Sequence, residues 1–113
     1  MRQLEVFNND IPVGLLTEVD KRHYEFQYYD DYLNSLLPAI SFNLPKRKEK
    51  YTSQYLFPLF YNMLPEGANK KCICMNARID ERDAFGLLSF FAGKDFIGAV
   101  NVRNPRNVQS IRQ

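Results

Sequence analysis

The sequence predicts an α+β domain: a small, curled antiparallel sheet of about five strands with about three helices packed on it. Three observations support this fold class. Residues 23–28 alternate strictly between aromatic and polar side chains, as in a half-buried strand. Residues 56–63 carry apolar side chains at helical spacing. The 113 residues, 45% of them hydrophobic, suffice for one packed core.

The first part of the chain contains short strands joined by tight turns. Residues 4–7 form a strand, and the turn formers at residues 8–10 connect it to a returning strand at residues 11–17. In residues 23–28, three aromatic side chains share one face of a third strand: Tyr24, Phe26 and Tyr28. The sequence therefore predicts an antiparallel meander.

The middle of the chain is expected to hold one helical turn and one further strand. Asp30 begins a helical turn as its capping residue. Alternation resumes in residues 39–44, where Ile40, Phe42 and Leu44 are apolar, so a fourth strand is expected there.

The second half is expected to be mainly helical. Thr52 and Ser53 are suitable caps for a helix that ends at Leu64, before a proline. Pro58 either lies in the first turn of this helix or kinks a longer one, and we favour the first interpretation. A turn ending at Gly67 leads to a second helix over residues 68–77.

The last elements are a third helix and a strand. Either Asp80 or Asp83 caps the helix, and Gly93 ends it. Residues 96–102 then form the closing strand. We expect residues 1–102 to make one domain and residues 103–113 to form a basic, flexible tail.

The residues do not indicate catalysis, a metal site or a cofactor. His23 is the one histidine and has no nucleophile motif near it. Cys72 and Cys74 lie two apart in a predicted helix, about 200° around its axis, so they face away from each other and do not share a metal ion. The five glycines are scattered and form no phosphate-binding loop. We expect no catalytic residue, no metal and no cofactor.

The net charge is only +2, but positive charge is concentrated in two places. Residues 46–50 carry four cations, Lys46, Arg47, Lys48 and Lys50, against one acid. The tail carries Arg103, Arg106 and one further arginine, with no acid. These cations either contact phosphates or an acidic partner surface, or are simply solvated. The sequence has no signal-peptide pattern and no apolar run of membrane-spanning length, so we expect a soluble cytoplasmic protein without membrane contact.

Four segments, in order, resemble the N-terminal subdomain of HipA-type serine/threonine kinases, the toxins of bacterial toxin–antitoxin systems. They are AISFNLP at residues 39–45, LFYNMLPEG at 59–67, FGLL at 85–88 and GKDFIGAV at 93–100. The sequence departs from the family pattern at Phe42, Tyr61 and Met63. The nucleotide-binding loop and the catalytic and magnesium-binding acids of the full-length kinases are not found in this sequence.

The resemblance implies a non-catalytic antitoxin or regulatory module that docks on a separately encoded HipA-like kinase core. It also implies assembly with a helix-turn-helix antitoxin and, through that protein, with operator DNA. The corner formed by Leu64, Pro65, Glu66 and Gly67 is the candidate partner-facing site, and the alternative is a helix-ending turn with no partner. A second functional hypothesis is a nucleic-acid-associated accessory module. It would use the basic loop, residues 46–50, and the basic tail, residues 103–113, on phosphates.

Overall fold

The computed structural model describes residues 2–64, 67–92 and 100–104, and leaves the side chains of residues 67–69 undescribed. Its elements, in chain order, are β1 (Arg2–Asn8), β2 (Ile11–Asp20), β3 (His23–Tyr28), α1 (Asp30–Leu33), β4 (Tyr51–Ser53), α2 (Pro58–Tyr61), α3 (Gly67–Ala77), α4 (Ala84–Phe90) and β5 (Val100–Arg103). The five strands form one antiparallel sheet in the order β4-β3-β2-β1-β5. This curled, open sheet confirms the predicted α+β class.

The sheet is built from two tight hairpins. Asn9 and Asp10 both have positive φ, at 50° and 70°, as required by the two-residue turn between β1 and β2. Lys21 and Arg22 form the turn between β2 and β3. The predicted meander is therefore confirmed, with β1 and β2 longer than expected from the sequence and β3 at the expected bounds.

Close packing between β2 and β3 depends on Gly14. A Cβ atom at this position would lie 3.0 Å from the Cα atom of Tyr28 and even closer to the carbonyl oxygen of Gln27. Both neighbours are backbone atoms, which do not move aside as a flexible side chain does. Glycine therefore allows the two strands to approach each other here.

The core fills the space between one face of the sheet and the helices. Tyr24, Phe26 and Tyr28 of β3 are all buried, as the alternation predicts. The side chains with least exposure come from β1, β2, β3, α1, α2, α4 and β5: Leu4, Val6, Val13, Leu16, Phe26, Tyr32, Phe60, Phe85, Leu87, Leu88 and Val102. One hydrophobic cluster therefore joins all the main elements.

Two predictions in the middle of the chain are wrong. Residues 39–44 do not form a strand: Ser41 and Leu44 are bridged across a tight turn. The strand is instead β4, at Thr52 and its two neighbours, where a helix cap was expected. The apolar alternation misled the prediction because a turn held by side-chain hydrogen bonds also separates apolar residues at every second position.

The predicted helices are found at the expected positions in the chain, but some of their first and last residues differ from the prediction. Pro58 is the first residue of α2, as favoured from the sequence, but this helix ends at Tyr61, before Leu64. Asp83 caps α4 by accepting a hydrogen bond from the Gly86 N–H group. Asp30 does not cap α1, because Tyr29 occupies the cap position without a side-chain bond.

Candidate functional site

An uncharged cleft lies beside the outermost strand β4, with a volume of about 200 Å³. Its walls are the turn at residues 41–44, the three residues of β4, and residues 57–59 at the start of α2. We call this the β4 cleft. Segments from three separate parts of the chain form it, so no single motif in the sequence reveals it.

Tyr28 fixes the turn that forms one wall of the β4 cleft. Its hydroxyl group donates a hydrogen bond to the carbonyl oxygen of Leu44 and accepts one from the N–H group of Ile40, at 3.2 Å. Burial raises the pKa of Tyr28 to about 12. The hydroxyl therefore stays protonated at neutral pH and can make both bonds.

Two further tyrosines hold the long connection between α1 and β4. The Tyr32 hydroxyl donates to the carbonyl oxygen of Pro38 at 2.6 Å, and the Tyr51 hydroxyl donates to that of Pro45 at 2.6 Å. Side-chain donors thus satisfy carbonyl groups that have no strand partner. Tyrosine side chains therefore fix the connection that forms one wall of the β4 cleft, and the pairing of β4 with β3 fixes another.

Lys46, predicted as a phosphate or acidic-surface contact, has a structural role in this connection. Its ammonium group donates to the carbonyl oxygens of Ser35, at 2.9 Å, and Leu37, at 2.8 Å. It also lies 5.2 Å from the centre of the Tyr32 ring. The Lys46 ammonium group is therefore engaged within the protein and is not free to contact a phosphate or an acidic partner.

The remaining cations of the basic loop differ in how free they are. Arg47 donates to two nearby carbonyl groups and stacks 3.7 Å from the centre of the Tyr51 ring. Lys50 pairs with Glu25 at 3.2 Å. Lys48 is exposed, and its ammonium group has no partner among the described residues. Among the described cations of this loop, Lys48 is therefore the one free to meet an incoming group, and Arg47, although exposed, is held by contacts within the chain.

Arg103 also has partners within the chain. It belongs to β5, where it pairs with Asp10 and lies 4.1 Å from the centre of the Phe7 ring. Arg106 lies outside the described residues. The structure therefore does not bring the predicted basic residues together as one surface: Arg103 is at the β5 edge of the sheet, and the basic loop is at the β4 edge.

The predicted partner-facing corner is only partly described. The Leu64 side chain is 7% exposed and packs in the core. Gly67 is the first residue of α3, so it does not serve as the expected turn residue. Pro65 and Glu66 lie outside the described residues. The corner as a partner site remains a prediction.

Exposed aromatic side chains flank the β4 cleft, and the sequence analysis did not single them out as a site. Phe42 lies at the tip of the 41–44 turn and is 100% exposed, and Tyr55, between β4 and α2, is 76% exposed. Large apolar side chains at the rim of a concave surface are typical of protein-binding sites. The sequence pattern predicts Phe42 on the apolar face of a strand with Ile40 and Leu44, and therefore does not predict that its side chain is exposed.

A charged cluster occupies a different surface, where β1 and β2 meet α4. Arg2 donates to Glu18 at 2.6 Å and to Asp83 at 2.8 Å, and the Tyr24 hydroxyl donates to Glu18 at 3.3 Å. The hydrogen bond from Arg2 holds the pKa of Asp83 below its ordinary value, although burial opposes this. Arg2 lies between the two carboxylates and ties the first strand to α4.

The structure also locates the residues considered for metal binding and the membrane. Cys72 is exposed and Cys74 buried, both on α3, as expected for thiols on different sides of a helix. Among the described residues, no three His, Cys, Asp or Glu side chains are grouped to hold a metal ion. None of the described helices is long and apolar enough to cross a membrane.

Comparisons with known proteins agree with the resemblance seen in the sequence. Residues 4–103 match the family described as the HipA N-terminal domain. A solved structure named N-terminal domain of HipA toxin superposes with a TM-score of 0.69 and 31% identity, covering 93% of each chain. A protein of Haemophilus influenzae (strain ATCC 51907 / DSM 11121 / KW20 / Rd), described as uncharacterized, is 35% identical over 94 residues, which are 83% of this chain and 84% of that protein. The chain belongs to the HipA N-terminal domain family.

Proposed function

We propose that this protein is a non-catalytic regulatory and binding module of a HipA-type toxin–antitoxin system. It acts in the cytoplasm by docking on a separately encoded HipA-like kinase core. The observation that carries this proposal is the family match over residues 4–103, together with a structural relative named as the N-terminal domain of a toxin.

The surface of the domain supports a docking role. Phe42 and Tyr55 are exposed beside the β4 cleft, and burying large apolar side chains against a partner is favourable by roughly 25 cal/mol per Å². A docking interface needs such an apolar centre surrounded by polar groups. The described domain provides exposed aromatic side chains beside a cleft that no charged residue lines.

Co-expression with the kinase-like chain encoded beside it tests the proposal. We expect the two chains to purify together and the autophosphorylation of the kinase chain to fall when the module is present. The module alone should transfer no phosphate. Neighbouring genes unrelated to HipA, or a kinase chain that purifies alone with unchanged autophosphorylation, would contradict the docking role.

The corner at Leu64 to Gly67 is a second part of the proposed interface. Reversing the charge of Glu66 with Glu66→Lys should weaken the complex. Charged groups at an interface face complementary charges on the partner, and a lysine at this position would be repelled by the groups that attract Glu66. Glu81→Lys, at an exposed acid of the described chain, is the control. Equal affinity of the Glu66→Lys variant and the control for the kinase chain would remove the corner from the interface.

A role in nucleic-acid binding is the alternative, and it has less support. Lys46, Lys50 and Arg103 are already paired or hydrogen-bonded within the chain. Assembly with a helix-turn-helix antitoxin on operator DNA does not require direct contact by this module. Direct contact would appear as DNA binding by the isolated chain that weakens steeply as salt increases.

A further inference from the structure

The outer edge of β4 has free backbone groups. In an antiparallel sheet, each residue directs its N–H and C=O groups to the same side, and successive residues alternate. β4 pairs with β3 through Tyr51, Thr52 and Ser53, and no other strand flanks it in the sheet. Among the described residues, no hydrogen bond from outside the sheet reaches the backbone of these three residues. The outward-facing groups are thus available to another strand.

The volume of the β4 cleft is suited to one large side chain rather than to a small-molecule ligand. Small-molecule sites usually have volumes of about 300–1,000 Å³, whereas this cleft has about 200 Å³. Its walls include Leu44, Phe57 and Leu59, with Phe42 exposed beside them. One large apolar side chain entering between the 41–44 turn and α2 fits this arrangement, and it lies directly beside the free edge.

The charge beside the cleft is mainly positive, because residues 46–50 carry four cations and one acid, Glu49. No charged residue lines the cleft itself. Arg47 stacks on the ring of Tyr51, which is part of the cleft wall, and the unpaired Lys48 follows it in the chain. An acidic segment is complementary to this flank. A second copy of this chain, paired antiparallel along β4, would instead bring Gln54 and Tyr55, which carry no negative charge, toward this flank.

We propose that the β4 cleft binds an extended, acidic peptide segment of a partner protein by strand addition to β4. The backbone of the peptide pairs with the outer edge of β4, one large apolar side chain enters the cleft, and acidic side chains face Arg47 and Lys48. This mode of binding goes beyond the proposed function, because it does not require the partner to be a kinase core.

A library of random peptides displayed on phage, selected on the full chain, tests this directly. The selected peptides should carry Asp or Glu around one large apolar residue and contain no proline at the pairing positions. Binding of a selected peptide to isotope-labelled protein should move the amide NMR signals of residues 41–44, 51–53 and 57–59. Hydrogen exchange at the outward-facing amides of β4 should slow when the peptide is bound.

Substitutions at exposed positions separate binding from folding. Phe42→Glu combined with Tyr55→Glu should weaken peptide binding by at least about tenfold, and Lys48→Glu by a few fold, because of lost apolar contact and charge reversal. Met75→Glu is the matched control for the apolar positions, since Met75 is 78% exposed on α3. Lys71→Glu, also on α3, is the control for Lys48→Glu. Both controls should bind the peptide as the wild type does.

Several results would overturn the proposal. They are selection of basic peptides or of none, NMR shifts confined to other surfaces, and unchanged peptide binding by the Phe42/Tyr55 double variant. Concentration-dependent dimerisation through β4, seen by sedimentation, would replace the peptide with a second copy. If the double variant binds the selected peptide as the wild type does, while the kinase chain co-purifies with the wild type, the cleft proposal fails and the proposed function stands. If the chain binds the peptide but forms no complex with the kinase chain, the proposed function fails while the cleft proposal stands.

Discussion

Two regions of the domain differ in how they use polar groups. At the junction of β1, β2 and α4, charged side chains from distant positions pair with one another, with Arg2 between Glu18 and Asp83. At the β4 end, neutral tyrosine hydroxyl groups hold a long connection by bonding to its backbone carbonyls. We call the first the closed region, because its side chains bond to one another, and the second the open region, because it forms the exposed β4 cleft.

This difference separates stability from binding. Substitutions in the closed region are expected to change the free energy of unfolding of the whole domain. Substitutions in the open region should change the connection at residues 34–50 and the β4 cleft, with smaller effects on global unfolding. Each prediction below tests whether this division holds.

The largest effect is expected for Gly14→Ala, in the central strand of the closed region. The added methyl group would press against the backbone of Gln27 and Tyr28. We expect unfolding to become easier by about 3 kcal/mol, the upper range for overpacking. Chemical denaturation of the wild type and the variant measures this. A loss below about 0.5 kcal/mol would show that β2 and β3 have room to separate.

Tyr28→Phe tests the open region. The substitution leaves the Leu44 carbonyl and the Ile40 N–H group without their partner, at a cost of about 2 kcal/mol if both stay buried. Hydrogen exchange should become faster in residues 40–44 and stay unchanged in β1. Tyr61→Phe, at an exposed position on α2, is the control. Faster exchange across the whole sheet would mean that this hydroxyl supports the entire fold.

Asp83→Ala removes both the cap of α4 and the partner of Arg2. We expect a loss of about 1 kcal/mol in unfolding free energy, as is usual for a lost N-cap. Asp80→Ala is the matched control, because Asp80 is exposed and pairs only with the neighbouring Arg82. Equal losses for the two variants would show that the link from Arg2 to α4 adds no stability.

The same carboxyl group predicts a pH dependence. Because the hydrogen bond from Arg2 lowers the pKa of Asp83 in the folded state, this contribution is complete above the ordinary value of 3.8. It is lost as the pH falls through the lower folded-state pKa. The stability difference between wild type and Asp83→Asn should therefore stay constant near neutral pH and shrink as the pH falls below 3.8. A difference that grows on acidification would contradict the assigned direction of the pKa shift.

The smallest effect is expected for Lys46→Met, which loses two hydrogen bonds to carbonyl groups. Water can reach part of this site, so the expected loss is about 0.5–1 kcal/mol. Lys48→Met, two residues away, should leave unfolding unchanged because its ammonium group has no partner among the described residues. Thermal unfolding of both variants makes the comparison, and equal stabilities would deny Lys46 its structural role.

Local patterns in the sequence predicted those elements whose causes are local. The alternation in β3, Pro58 at the start of α2 and Asp83 as a cap all follow from neighbouring residues. β4 was missed because it has only three residues and is defined by its pairing with β3. The turn at Ser41 was mistaken for a strand because its fixing bonds come from the distant Tyr28.

The candidate site was less predictable for the same reason. The basic loop was identified from its charges, but the sequence could not show that Lys46 turns inward to carbonyl groups. The β4 cleft joins segments from residue 41 to residue 59 around an edge strand. Its position depends on tertiary contacts, which single-sequence patterns do not report. Family resemblance was visible because it rests on four short motifs in order.

Hydrogen exchange of this protein in complex with the kinase chain tests the central claim most directly. The account predicts that protection on binding concentrates in residues 41–44, 51–53 and 57–59 and at the corner, residues 64–67. Arg2 and its neighbours at α4 should exchange as in the free protein. Protection centred on the charged cluster at α4, or no change anywhere on addition of the kinase chain, would contradict it.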